Sequence, residues 1–136
     1  MTERLIRMPT LHRVVKHNGI AYIGGIVADD ESLDMEGQTR QVLIKLDAYL
    51  KQAGSERANL LSATIYITDM NVKPQMDAVW KEWFTPEELP ARATIGVADL
   101  GDTTLIELIA TAHTELCEAL EAAARSQSLL EIVTEC

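Results

Sequence analysis

The 136 residues predict an α+β protein in which two helical crossovers flank a mixed sheet. Three observations predict it. Short β-rich runs and helical stretches follow one another in the order β-β-α-β-α-β-β, an Asn18-Gly19 dipeptide joins the first two runs, and each helical stretch leads into a further strand.

The runs at residues 13–17 and 20–25 form a hairpin, since Asn-Gly is the dipeptide best suited to a tight turn at positive φ. Residues 27–32 are polar and aperiodic, a loop leading to a helix start near Asp34 or Glu36. Within residues 38–53 the apolar Val42, Leu43, Leu46, Tyr49 and Leu50 recur at three- and four-residue steps, and Gly54 stops the helix. Residues 60–68, rich in β-branched and aromatic side chains, read as a strand buried on at least one face, and Asp69-Met70-Asn71 turns the chain. A second helix over residues 74–84 lines up Met76, Val79, Trp80 and Trp83, with Pro74 tolerated in its first turn. Pro86 and Pro90 bracket a loop expected to be extended, and two strands follow at residues 91–97 and 103–112. From about residue 115 to 134 the chain is rich in Ala, Leu and Glu and contains Glu121-Ala122-Ala123-Ala124-Arg125, which predicts a helical tail, native or appended. The expected division is a domain over residues 1–112 and a tail over 113–136.

A chain of this length buries roughly two-thirds of its unfolded surface and needs no metal or disulfide staple. The net charge of −9 opposes nucleic acid, whose binding needs clustered Lys and Arg to release counterions. No apolar run approaches a bilayer span, and the first residues lack the pattern of a secretory signal, so a cytoplasmic protein without membrane contact is expected. Cys117 and Cys136 are the only cysteines, and no His or Cys pair has metal-ligand spacing, so no metal is expected. Asp29-Asp30-Glu31 lacks the alternation of a calcium loop and reads as a solvated segment. His12, His17 and His113 read as surface or capping residues, Trp80 and Trp83 as packing, and Tyr22 and Tyr66 as ordinary strand residues.

Two charges interrupt apolar strands. Arg92 stands in Pro90-Ala91-Arg92-Ala93-Thr94-Ile95-Gly96-Val97 and Glu107 in Leu105-Ile106-Glu107-Leu108-Ile109-Ala110. Guanidinium is permanently charged and offers a planar fork of donors, so Arg92 is either a clamp for a ligand carboxylate or half of an ion pair with Glu107 inside the sheet.

The order and spacing of Ile20-Ala21-Tyr22-Ile23-Gly24-Gly25, Gly37-Gln38-Thr39-Arg40-Gln41-Val42-Leu43, Ala53-Gly54, Thr64-Ile65-Tyr66-Ile67-Thr68-Asp69-Met70, Pro90-Ala91-Arg92-Ala93 and Ile106-Glu107-Leu108-Ile109-Ala110 resemble the YjgF/RidA family over about residues 12 to 112. That resemblance implies a chorismate-mutase-like fold with both helices on one face of the sheet, a homotrimer with clefts between subunits, and hydrolysis of reactive 2-enamine or 2-imino acids to 2-oxo acids and ammonia without a cofactor. It implies that Arg92 binds the substrate carboxylate, that Glu107 positions or activates water, and that Gly25 lines the pocket. Thr94 stands where many members have a cysteine, which removes a thiol role and leaves a substrate-binding position. Gly24 stands where many have Ser or Thr, and the tyrosine of well-studied members falls near Leu11 or His12. A second reading keeps the fold and cleft without turnover, as a trimeric small-ligand-binding or assembly module whose C-terminal helix joins it to a larger assembly.

Overall fold

The computed structural model describes residues 1–114. Eight main elements follow in order: β1 (Thr2–Arg7), β2 (His12–His17), β3 (Ile20–Val27), α1 (Met35–Gln52), β4 (Leu60–Ile67), α2 (Lys73–Trp83), β5 (Ala91–Gly96) and β6 (Ile106–His113). The strands form one sheet in the order β1-β2-β3-β6-β4-β5, in which only β4 and β5 pair in parallel. Both β3 and β4 run antiparallel to β6, so they point the same way, and α1 carries the chain over β6 from one to the other. α2 makes the shorter crossover between the parallel neighbours β4 and β5.

Local chemistry explains the elements. Asn18 and Gly19 both take positive φ, 50° and 79°, as the tight turn between β2 and β3 requires. Asp34 caps α1, its side chain accepting the Gly37 N–H at 2.9 Å. At the other end Gly54 turns left-handed at φ 77°, the Gly54 N–H reaches Lys51 O at 3.1 Å and the Ser55 N–H reaches Leu50 O at 2.8 Å, satisfying the last carbonyls.

The fold departs from the expected pattern in three places. The sheet gains an edge strand, β1, whose charged Glu3, Arg4 and Arg7 disguise it. Thr85 and Leu89, each before a proline, are extended, but Pro86–Glu88 between them forms a 3-10 turn closed by a reciprocal Thr85/Glu88 capping box. The last strand starts at Ile106 rather than 103, because Gly101 and Asp102 turn at positive φ and the Leu105 N–H is taken by the Gln38 side chain. The tail expected over residues 115–134 lies outside the described residues.

Alternation along the strands sends Val14, Ala21, Ile23, Ile65, Ile67, Ile106, Leu108 and Ala110 to one face, where they meet Leu43, Leu46 and Leu50 of α1 and Met76, Val79 and Trp80 of α2. Each fully buried Leu or Ile contributes about 1.5–3 kcal/mol relative to exposure. Both helices cover this face. The opposite face carries Val15, Tyr22, Thr111, Ser62 and Ala91 in one cross-strand row, and no described element covers it. Among the described residues no helix is long and apolar enough to cross a membrane.

Candidate functional site

Arg92 is the second residue of the edge strand β5, opposite Ala63 of β4, which is buried beneath the helices. The same register turns Arg92 and Thr94 toward α2. There Arg92 Nη2 lies 2.9 Å from Asp77 Oδ1, and its guanidinium stands 5.2 Å from the centre of the Trp80 ring. The ion pair is close but poorly aligned for a hydrogen bond. Lys73 Nζ donates to the other Asp77 oxygen at 2.8 Å. Burial pushes the Asp77 carboxyl up, but the hydrogen bond from Lys73 and the charge of Arg92 outweigh it, holding the group below its ordinary value. Thr94 Oγ1, on the same side of β5 as Arg92, is buried without a hydrogen-bond partner among the described residues.

Glu107 faces the other way. It sits opposite Val27 and Tyr66 on the open side of the sheet, two strands from Arg92 and so about 10 Å across it. The intramolecular pair with Glu107 is therefore not what Arg92 makes; Asp77 is its carboxylate partner. Beside Glu107 lies Gly25, where β3 bulges between Ile23 and Ile26 and φ is 62°. A Cβ built there would lie 3.6 Å from Glu107 Oε2 and 3.8 Å from Arg13 Nη1, so the missing side chain leaves an opening between a carboxylate and a guanidinium. Arg13 Nη1 donates to Gly25 O at 3.0 Å.

The open face also holds a pocket of about 350 Å³ lined by His12, Tyr22, Gly24, Thr64, Ile109 and Thr111 among others. Its floor includes a hydroxyl pair, Ser62 with Thr111 at 2.6 Å. Tyr22 and His12 thus belong to a concavity rather than to an ordinary strand surface or cap. One chain brings together two half-sites, Gly25 with Glu107 and Arg13 on the open face, and Arg92 with Thr94, Asp77 and Trp80 on the helix face. Arg13 and Asp77 were not evident from sequence. The hairpin register was the signal for Arg13, since it places that residue across from the Gly24-Gly25 segment.

A family model described as Endoribonuclease L-PSP matches residues 3–114. A RutC family protein of Haemophilus ducreyi is 37% identical over 99 residues, covering 73% of this chain and 85% of its own. Among solved structures, a YjgF protein family member from Neisseria meningitidis superposes with a TM-score of 0.81 at 28% identity, covering 85% of this chain and 96% of that one. A Rid protein family member from Yersinia pestis gives a TM-score of 0.74 at 31% identity, covering 79% of this chain and 90% of its own.

Proposed function

The chain belongs to the YjgF/RidA family, and on that premise we propose that it hydrolyses reactive 2-enamine or 2-imino acids to 2-oxo acids and ammonia. The observation that carries this reading is the placement of the two strand-interrupting charges. Arg92 lies at a sheet edge with one terminal nitrogen engaged among the described residues, and Glu107 lies beside an opening that a side chain at residue 25 would fill.

In the proposed reaction the guanidinium fork of Arg92 holds the substrate carboxylate, with Thr94 Oγ1 beside it as a further polar contact. Glu107 accepts a proton from water as the oxygen attacks C2 of the protonated imine; the carbinolamine nitrogen then takes that proton from Glu107, the C–N bond breaks to release ammonia, and the hydroxyl gives up its proton to solvent to leave the C=O of the 2-oxo acid. Such imines hydrolyse readily unaided, so fixing the acid and aiming the water supplies most of the effect. Because Arg92 and Glu107 occupy opposite faces of one sheet, a complete site needs Arg92 from one copy set against the open face of another. This supports sites at subunit boundaries, as in the homotrimer that the family resemblance implies. The apolar wall of Val15, Tyr22 and Ile109 suits the hydrocarbon portion of a small acid.

The test generates 2-aminoacrylate in situ with a serine dehydratase and follows ammonia release. Wild type accelerates it, Arg92→Ala and Glu107→Ala fall toward the uncatalysed rate, and Arg92→Lys stays impaired because it keeps the charge but loses the fork. Equal rates for wild type and both alanine variants would sink the assignment and leave a binding or assembly module.

A further inference from the structure

The arginine assigned to the substrate already has a carboxylate beside it. Lys73, Asp77 and Trp80 are spaced four and three residues apart, so they share one face of α2, and that face meets the edge strand at Arg92. Trp80 lies beneath the guanidinium and Asp77 at its side, with Lys73 holding the far oxygen of Asp77. The pair stands at the protein boundary, the side chains of Arg92 and Asp77 being 22% and 29% exposed, so a ligand can reach it.

Only Nη2 of Arg92 engages Asp77, and among the described residues Nη1 and Nε have no hydrogen-bond partner, which leaves them to meet a ligand carboxylate. A carboxylate on that free edge would then share one cation with Asp77, two like charges on either side of one guanidinium. The Arg92–Asp77 contact is too poorly aligned to lock the fork in one orientation, so its main effect on a ligand is electrostatic.

We propose that Asp77 is a built-in counter-charge that shares Arg92 with the ligand carboxylate and holds down the affinity of the site for small acids. It acts on the ligand through Arg92, and it rests on the reading of Arg92 as the carboxylate anchor. The chemical consequence is a site that releases a 2-oxo acid product readily.

The experiment titrates pyruvate into the full chain by NMR at fixed ionic strength. Asp77→Asn keeps the shape and removes the charge, and it tightens pyruvate binding about tenfold, the effect of deleting a like charge about 6 Å away at an effective dielectric between those of protein surface and water. Asp77→Ser, chosen in case the amide forms new contacts, tightens binding in the same direction. Asp77→Glu restores the charge and returns the affinity to within about twofold of wild type, while the gain from Asp77→Asn shrinks as salt is raised. A purely orienting aspartate predicts the opposite sign, so unchanged or weaker binding by both Asp77→Asn and Asp77→Ser overturns the proposal. Arg92→Ala separates the two readings. If it binds pyruvate as tightly as wild type, the anchor itself falls; if it binds weakly and the Asp77 variants fail to tighten, only the counter-charge falls.

Discussion

At the scale of single residues, the adjacent glycines of β3 make a controlled comparison. Gly25 sits at φ 62° between Glu107 and Arg13, whereas a Cβ at Gly24 meets nothing within 4 Å. Gly25→Ala therefore costs about 1–2 kcal/mol of left-handed backbone strain, and its methyl also enters the opening beside Glu107. Gly24→Ala is close to neutral in stability. Urea unfolding of both variants at one protein concentration, together with ammonia release, checks this; equal stability for the two would mean that the bulge relaxes without strain. Arg92 and Glu107 could be read directly from the chain because a charge inside an apolar strand is conspicuous. Asp77 and Arg13 could not. Polar residues are ordinary on a half-exposed helix, and the charge at the start of β2 acquires meaning only once the hairpin sets it beside Gly25.

Among the elements, the tie between α1 and the start of β6 depends on one buried amide. Gln38 is fully buried; its Nε2 donates to Glu31 O, Leu33 O and Thr103 O at 3.2, 3.0 and 3.1 Å, and its Oε1 accepts the Leu105 N–H at 2.9 Å. Two hydrogens serve three carbonyls, so at least one is shared. A second link, Thr104 Oγ1 to the Glu31 carboxylate, closes the same two loops together. Gln38→Leu leaves several buried backbone groups unpaired and destabilises the fold by about 2–4 kcal/mol. The N-cap deletion Asp34→Ala costs only about 1 kcal/mol. Equilibrium unfolding ranks the two, and a smaller loss for Gln38→Leu would show that water replaces the amide. This clamp also explains why the final strand begins later than its composition implies. Leu105 has strand-like neighbours, but its N–H is committed to Gln38. Helix periodicity, the Asn-Gly turn and the Gly54 cap were legible because each is local. β1 was not, since its pairing with β2 is what makes a strand of a charged segment.

At the scale of the whole molecule, the elements of the described residues cover the sheet on one side only. Both helices lie on the core face, while Tyr22, Ile95 and Ile109 remain 50, 43 and 37% exposed on the other. Scattered exposed apolar groups need no explanation, but these share one sheet face with a pocket whose lining, among the described residues, carries no acidic or basic side chain other than His12. The proposed composite site requires that face to meet the β5 edge of another copy. Sedimentation equilibrium of wild type is thus expected to give three times the protomer mass at concentrations where turnover is measured. Ile95→Lys sets a charge on that face outside the pocket lining and shifts the protein toward monomer, with turnover falling in proportion to the trimer lost. Arg92→Ala, lying at the edge and facing the helices, loses turnover while remaining trimeric. The two variants therefore separate assembly from chemistry. A wild-type protein that turns over imine as a monomer would break the link, because no single chain brings Arg92 and Glu107 to the same side of the sheet.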